Sequence, residues 1–180
     1  VDWAARVDGL GAKISPAVDR AEVADYDCEI EFIDLGGELR EAVLWFGCLK
    51  TVRRRATVLP GPHTLVGEAE PEIDLAGPDG YLYEPSPAVM RAGLVRTLGA
   101  HIGASMLDRR IAFLVSDRLV TTPFARAYEV AEAIPFQLKR LRARLRELGI
   151  GPLTVKKRGS PIQPEDLIRS LVLLGEEPRT

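Results

Sequence analysis

The sequence predicts a mixed α/β (α+β) fold, and three patterns support this class. Short runs rich in β-branched and aromatic residues occur within the first 80 residues, as is typical of strands. Apolar residues at helical spacing, bounded by proline and glycine, appear after residue 85. Helix and strand patterns then alternate without a sequence repeat, which predicts layered β/α units in the second half of the chain.

The first half of the chain is predicted to be β-rich. The pair Gly36-Gly37 lies between two strand patterns and is a good signal for a hairpin. The acidic stretch 67–80 contains glycine and proline and has no periodicity, so it is a candidate linker. Strands are predicted at 12–14, 28–35, 38–46 and 56–59.

The second half is predicted to alternate between helices and strands. Ser86 and Pro87 supply a helix start, and Gly99 is expected to end that helix. Residues 125–134 suit either a strand or a helix, and we favour a strand. In order, we expect a helix over 87–98, strands at 111–115 and 125–134, a helix over 137–148, a strand at 153–157 and a helix over 164–174. The aromatics expected in the core or at a domain junction are Tyr81, Tyr83, Phe113, Phe124, Tyr128 and Phe136.

Composition narrows the class of protein. The chain has 180 residues, of which 46% are hydrophobic and 28% charged, enough apolar mass for one ordinary domain or two small ones. No apolar run approaches the roughly 20 residues of a membrane-spanning helix, so we expect a soluble, cytoplasmic protein with no membrane partner. Cys28 and Cys48 are too few for a disulfide scaffold and are expected to be buried, reduced thiols. The opening residues lack an initiator Met and a signal-peptide pattern, so we expect a piece of a longer protein.

Charge is distributed unevenly along the chain. The overall net charge is -2, but residues 1–80 hold 8 Lys/Arg against 16 Asp/Glu, a net of -8. Residues 81–180 hold 16 basic and 10 acidic residues, a net of +6. Such a split suggests two modules that have different partners.

Catalytic and cofactor motifs are missing from the sequence. A phosphate-binding loop requires a strand before it and a helix after it. The fragment Gly9-Leu10-Gly11 has neither pattern beside it. His63 and His101 have no cysteine or carboxylate at ligand spacing, and the glutamates of 68–74 suit a solvated segment. We therefore predict no catalytic, cofactor-binding or metal-binding residue in this chain.

The positive signal is a basic segment between Phe136 and Gly159. Its leucines face one side at helical spacing, so its cations cover the outer surface and repel one another. A phosphate backbone would offset that repulsion, although arginine is also simply a good helix former on a solvated face. Aromatic content of 6% disfavours base stacking, so duplex or folded RNA is the better ligand. The predicted RNA-binding residues are Lys139, Arg140, Arg142, Arg144, Arg146, Lys156, Lys157 and Arg158, with Arg126 as a further candidate.

An ordered set of segments resembles the C-terminal part of bacterial, notably actinobacterial, class I S-adenosylmethionine (SAM)-dependent methyltransferases that carry a THUMP-like domain. The segments are 11–16 (GAKISP), 41–46 (EAVLWF), 83–93 (YEPSPAVMRAG), 122–130 (TPFARAYEV), 134–136 (IPF) and 155–159 (VKKRG). The resemblance implies that residues 1–78 are the terminal strands of a methyltransferase-type sheet, 79–118 a ferredoxin-like unit and 119–180 a THUMP-like RNA-binding unit.

The same resemblance implies what the chain binds and what it lacks. THUMP domains of other modification enzymes bind tRNA or related RNA, so tRNA or rRNA is the implied partner of the basic segment. The family's upstream half, with its SAM-binding glycine loop and Asp-Pro-containing catalytic motif, has no counterpart here. SAM is therefore implied for the parent protein and not for this chain, whose missing partner is an N-terminal SAM-binding domain.

Two hypotheses follow from the sequence. The first is an RNA-recruiting C-terminal portion of a SAM-dependent RNA methyltransferase, inactive alone although the parent is an enzyme. The second is a structural or interaction module that completes the methyltransferase fold or an oligomer, with its arginines merely solvated. An independent small enzyme would need a convergent polar pocket, which the sequence does not indicate. The oligomeric state is left open.

Overall fold

The computed structural model describes residues 6–180, which form two compact units. The first unit extends to Val130, and the second covers Ala131–Thr180. Both units mix helices with sheets, which confirms the predicted α+β class. The start of the predicted 1–78 module and the opening residues that lack a signal pattern lie outside the described residues.

The division into two units falls at residue 130, about 50 residues after the change in charge near residue 80, but the two units still differ in net charge. Residues 1–130 hold 14 Lys/Arg against 20 Asp/Glu, a net of -6. Residues 131–180 hold 10 Lys/Arg against 6 Asp/Glu, a net of +4. The second unit is therefore the cationic part of the chain.

A five-stranded sheet occupies the beginning of the first unit. Its strands are β1 (Gly9–Ile14), β2 (Glu29–Leu35), β3 (Glu38–Gly47), β4 (Arg54–Leu59) and β5 (His63–Gly67), in the order β1-β3-β2-β4-β5. Gly36 and Gly37 both have positive φ and turn β2 into the antiparallel strand β3, which confirms the predicted hairpin. Strands β2 and β4 are parallel, and the other neighbours are antiparallel.

Strand β5 is the element of this sheet that the sequence did not predict. His63, expected in a turn, begins β5 and pairs with Val58 of β4. The five residues of β5 are mostly exposed, so their strand conformation depends on pairing with β4 and leaves little apolar pattern.

The G-x-G fragment lies inside β1, as a packing feature. A Cβ atom on Gly11 would lie 2.6 Å from Cζ3 of Trp45, its partner in β3. The glycine therefore allows the indole ring to lie across the strand. This position gives the fragment no role in binding a phosphate.

The predicted helix over 87–98 is in fact two helices, α1 (Pro87–Ala92) and α2 (Val95–Ile102). Ser86 caps α1, because its Oγ accepts a hydrogen bond from the Val89 N–H at 3.3 Å. Gly93 then takes a left-handed conformation with φ +65°, which ends α1 and separates it from α2. The expectation that Gly99 ends a helix was wrong: Gly99 lies within α2, where a Cβ would lie 2.5 Å from Ile73 Cδ1.

A four-stranded antiparallel sheet completes the first unit. Its strands are β6 (Tyr81–Pro85), β7 (Ser105–Asp108), β8 (Ile111–Ser116) and β9 (Ala125–Glu129), in the order β7-β8-β6-β9. The predictions of β8 and β9 are confirmed, although β9 ends at Glu129. Strands β6 and β7 were not predicted.

The core of the first unit joins both sheets to α1 and α2. Phe32, Leu98 and Leu114 are fully buried in it. Tyr83 is also fully buried, and its hydroxyl donates to the Arg118 carbonyl at 2.8 Å and accepts from the Val120 N–H at 2.7 Å. Burial of Tyr83 therefore leaves no polar atom unsatisfied, and its predicted core position is confirmed.

The second unit contains α3 (Leu138–Glu147), β10 (Ile150–Leu153), α4 (Pro164–Leu171) and β11 (Glu177–Arg179), with β10 and β11 parallel. Its small core is formed by Leu145, Ile150 and Leu171. The helix predicted over 137–148 is confirmed. Phe136, predicted to lie in the core or at a domain junction, is 55% exposed and is therefore not a core residue.

Two predicted boundaries in this unit were wrong. The strand expected at 153–157 runs over Ile150–Leu153, because Ile150 fills the core while Lys156 is exposed. The last helix ends at Leu171 and not at Leu174, because Val172 has a positive φ of 49°. None of the helices within residues 6–180 has both the length and the apolar character needed to cross a bilayer.

Candidate nucleic-acid interface

Helix α3 separates its apolar residues from its cations. Leu145 is buried, and Leu138 and Leu141 pack against the same small core. Leu148, which was expected to face inward, lies just after the helix and is 40% exposed. Five of the seven remaining positions of the helix are cations, and we call them the α3 cations: Lys139, Arg140, Arg142, Arg144 and Arg146.

Lys139 and Arg140 lie in the first turn of α3 and are exposed. Within the part of the chain that the structure describes, their side chains form no hydrogen bond or ion pair. Both charges therefore face solvent without a counter-ion from these residues. A phosphate could be bound here without breaking an existing contact.

Arg142 and Arg146 lie on one flank of α3 and contact the end of α4. Arg142 Nη2 donates to the Ser170 carbonyl, and Arg146 Nη2 donates to the Val172 carbonyl at 2.9 Å. Carbonyls in the last turn of a helix lack partners within the helix, and cations near that end also complement the helix dipole. These two arginines thus connect α3 to α4.

Neutralising these two arginines should loosen the second unit. We expect the double variant Arg142→Gln, Arg146→Gln to lower the stability of α4 by about 1–2 kcal/mol, because two charge-assisted hydrogen bonds at a partly exposed surface are lost. Hydrogen exchange of the α4 amides should then be about 5- to 30-fold faster. Arg140→Gln is the control and should leave exchange unchanged; equal rates in the double variant and the wild type would contradict this role.

Arg144 is neutralised by carboxylates on the other flank of the helix. Its Nε lies 2.7 Å from Glu132 Oε2, and its Nη1 lies 3.2 Å from Glu147 Oε2. These hydrogen bonds, first that of Glu132, raise the pKa of Arg144 above its ordinary value. Glu132 precedes the helix, and no pattern in the sequence signals its contact with Arg144.

The other predicted cations lie in different settings. Lys156, Lys157 and Arg158, expected on a strand, follow β10 in a segment without regular structure. Lys157 Nζ donates to Gln163 Oε1 at 2.9 Å, and Arg158 Nη1 donates to the Lys157 carbonyl at 3.3 Å. Arg126 is exposed on β9 and belongs to the first unit.

The chain is similar to known proteins in sequence and in fold. Residues 125–180 match the model of a family described as THUMP domain-like. The chain is also 40% identical over 171 residues to an uncharacterized SAM-dependent methyltransferase present in two strains of Mycobacterium tuberculosis. The chain thus has a THUMP domain-like segment and is homologous to SAM-dependent methyltransferases.

The extent of these matches differs between the chain and its relatives. The M. tuberculosis match covers 92% of the chain but 47% of the relative, so the chain spans about half the length of the curated relatives it matches. The fold is similar to the crystal structure of a protein from Porphyromonas gingivalis that is provisionally named a methyltransferase, with a TM-score of 0.71 and 20% identity. That similarity covers 98% of the chain and 49% of the other protein.

Strands β2 and β4 of the first unit are not followed by the helix that accompanies a nucleoside cofactor in many α/β folds. In doubly wound α/β folds, a nucleoside cofactor lies where a parallel strand leads through a glycine-rich turn into a helix. Strand β2 instead leads through Gly36 into the antiparallel strand β3, and β4 leads into the antiparallel strand β5. We therefore assign no step of methyl transfer to these residues.

Proposed function

We propose that this chain is the RNA-recruiting, C-terminal portion of a cytoplasmic bacterial SAM-dependent methyltransferase that acts on tRNA or rRNA. The observation that carries this proposal is the unpaired, exposed pair Lys139 and Arg140 at the start of a cationic helix. The THUMP domain-like match over 125–180 and the homology to SAM-dependent methyltransferases support it.

The domain assignment is part of this proposal. Residues 119–180 are the RNA-binding unit, 79–118 a ferredoxin-like unit, and 1–78 the end of a methyltransferase-type module. SAM binding and catalysis then belong to an upstream half, so the chain alone is inactive. Equilibrium dialysis against labelled SAM should show no binding to this chain, and a saturable SAM site would contradict the assignment.

RNA binding would follow from charge. Each phosphate that a lysine or arginine neutralises releases condensed counterions, which makes binding favourable at low salt. Arginine forks also match phosphate oxygens in pairs. Lys139 and Arg140 are the proposed primary contacts, and the remaining proposed contacts are Arg126, Arg142, Arg144, Arg146, Lys156, Lys157 and Arg158.

A second candidate function is a structural or interaction module without RNA binding. The observation that favours it is the internal use of three α3 cations: Arg142 and Arg146 contact α4, and Arg144 pairs with Glu132. In this case a full-length protein with Lys139 and Arg140 neutralised would retain its full activity.

The salt dependence of tRNA binding separates the two functions. If four to five of the proposed contacts each neutralise a duplex phosphate, binding of a mixed tRNA pool should weaken by about 150- to 500-fold between about 50 and 200 mM salt. Fluorescence anisotropy of the 180-residue chain with labelled tRNA measures this change. Absence of binding at both salt concentrations, or binding that ignores salt, would favour the structural module.

A further inference from the structure

The first unit contains a cleft that the proposed function does not use. It has a volume of about 620 Å³ and lies between the 3₁₀ turn Arg20–Val23, the start of β4 and the segment after β5. This volume is in the range of pockets that bind small ligands. The residues that give the cleft its chemistry are Arg20, Tyr26, Cys28, Arg53, Arg54 and Arg96.

Two of these arginines are fixed side by side at the end of α1. Arg20 Nη1 donates to the Ala92 carbonyl at 3.1 Å, and Arg54 Nη1 donates to the Gly93 carbonyl at 2.8 Å. Arg54 Nη2 also donates to the Glu68 carbonyl at 3.1 Å. Both guanidinium groups are thus held by main-chain oxygens, which are neutral and leave the positive charges uncompensated.

The proximity of these cations affects the pKa of Arg54. Burial lowers the pKa of Arg54, and the charges of Arg20 and Arg53 lower it further. The carboxylates of Glu70 and Glu68 oppose this effect, but the pKa of Arg54 still lies below its ordinary value. Like charges are therefore gathered around Arg54 against their mutual repulsion. An anion placed among them would relieve that repulsion.

The carboxylates at the cleft do not balance its cations. Glu70 pairs with Arg96, with 3.1 Å between Oε2 and Nε, and Glu68 Oε1 accepts from the Arg53 main-chain N–H at 3.0 Å. Four arginines and two glutamates line the cleft, so the lining is short of two negative charges. Cys28 adds none, because burial raises the pKa of its thiol.

We propose that this cleft binds a terminal phosphate group, held by Arg20, Arg53 and Arg54. A phosphate monoester supplies close to two negative charges and several acceptor oxygens at neutral pH, which matches the deficit. Tyr26, 45% exposed at the same cleft, offers an aromatic surface beside the phosphate. The phosphate therefore belongs to a nucleotide, either free or at the end of an RNA. This site is in the first unit and is independent of the α3 cations.

Calorimetric titration of the 180-residue chain with AMP, inorganic phosphate and adenosine tests the site. AMP and phosphate should bind, and adenosine should not. Arg53→Gln is the informative variant, because its side chain forms no hydrogen bond within the described residues and its loss should not disturb the fold. We expect this variant to bind AMP about 10-fold more weakly, the effect of one charge-assisted hydrogen bond.

Arg40→Gln is the matched control, because it removes an exposed arginine of the same unit that is far from the cleft lining and pairs only with Glu38 at 2.6 Å within the described residues. It should bind AMP as the wild type does. Equal binding of AMP and adenosine, an equal loss in both variants, or no binding of AMP and phosphate would overturn the proposal.

A second titration separates the two sources of the phosphate. In the variant Lys139→Glu, Arg140→Glu, which removes the proposed RNA contacts on α3, a short RNA with a 5′-phosphate should bind more tightly than the same RNA with a 5′-hydroxyl if the cleft receives an RNA end. In that variant AMP should bind more tightly than either RNA if the cleft receives a free nucleotide. Both outcomes support a phosphate site. The variant Lys139→Glu, Arg140→Glu should keep its AMP affinity, so failure of RNA binding at α3 is distinguishable from failure of the cleft.

Discussion

Replacing Lys139 and Arg140 with glutamate is expected to weaken tRNA binding by about 100-fold at about 50 mM salt. Each substitution removes a phosphate contact and adds a repulsive charge at an exposed position of α3. The slope of log affinity against log salt concentration should fall by about 2, since two phosphates are no longer neutralised. Fluorescence anisotropy over a salt series measures both quantities, and circular dichroism checks that α3 is retained.

The control for this variant must change the net charge equally. Arg40→Glu, Arg110→Glu reverses two exposed arginines of the first unit, each in a surface ion pair with a nearby carboxylate. It should reduce the affinity by less than about 3-fold, because neither arginine is among the proposed RNA contacts. An equal loss in both variants would show that net charge alone, and not α3, governs RNA binding.

The sequence predicted the helix that carries these cations, but it did not predict which of them already form contacts within the protein. Leucine spacing and the flanking Pro135 and Gly149 fix α3 locally, and the structure confirms it. Which cations are free depends on α4: the Ser170 and Val172 carbonyls engage Arg142 and Arg146. Those contacts cross about 26 residues of sequence or more and leave no periodic signal.

The elements that the sequence missed depend on partners for their conformation. Strand β2 is rich in β-branched and aromatic residues and is predictable alone, whereas β5 exposes most of its residues and exists by pairing with β4. The end of α1 at Gly93 was likewise not predictable from the local sequence. A glycine within a helical pattern does not by itself reveal whether it ends the helix, as Gly93 does, or allows close packing, as Gly99 does.

The cationic cleft could not have been predicted from sequence patterns. Its arginines come from a 3₁₀ turn, the start of β4 and helix α2, and the fold alone brings them together. The run Arg53-Arg54-Arg55 is visible in the sequence, but alternation along the strand sends its members to different partners. Arg54 contacts the end of α1, and Arg55 instead pairs with the buried carboxylate of Glu29.

Replacing Glu29 with glutamine is expected to lower the free energy of unfolding of the first unit by about 3 kcal/mol. Glu29 is 1% exposed, and its Oε1 accepts from Arg55 Nε at 2.6 Å. Its Oε2 accepts from the N–H groups of Thr51 at 2.9 Å and Val52 at 3.1 Å, and from the Thr51 hydroxyl. An amide of the same shape removes the charge and points either its NH₂ group or a weaker acceptor at these donors.

Urea denaturation followed by tryptophan fluorescence measures this loss, because Trp45 lies in β3 of the first unit and pairs with Glu29 of β2. Glu41→Gln removes a carboxylate from an exposed ion pair with Lys13 and should change stability by less than about 1 kcal/mol. A loss at Glu29 no larger than at Glu41 would mean that the buried network contributes little.

The pH dependence gives Glu29 a second signature. Burial alone would raise the pKa of Glu29, but the hydrogen bonds from Arg55, Thr51 and Val52 outweigh it and lower the pKa below the ordinary value of 4.5. A carboxyl whose pKa is lowered by folding stabilises the folded state above its unfolded pKa, and this contribution is lost as the pH falls through the folded pKa. The stability difference between the wild type and Glu29→Gln should therefore be constant near neutral pH and narrow below 4.5. A difference that stays constant down to acidic pH would assign the effect of the substitution to packing and not to the charge.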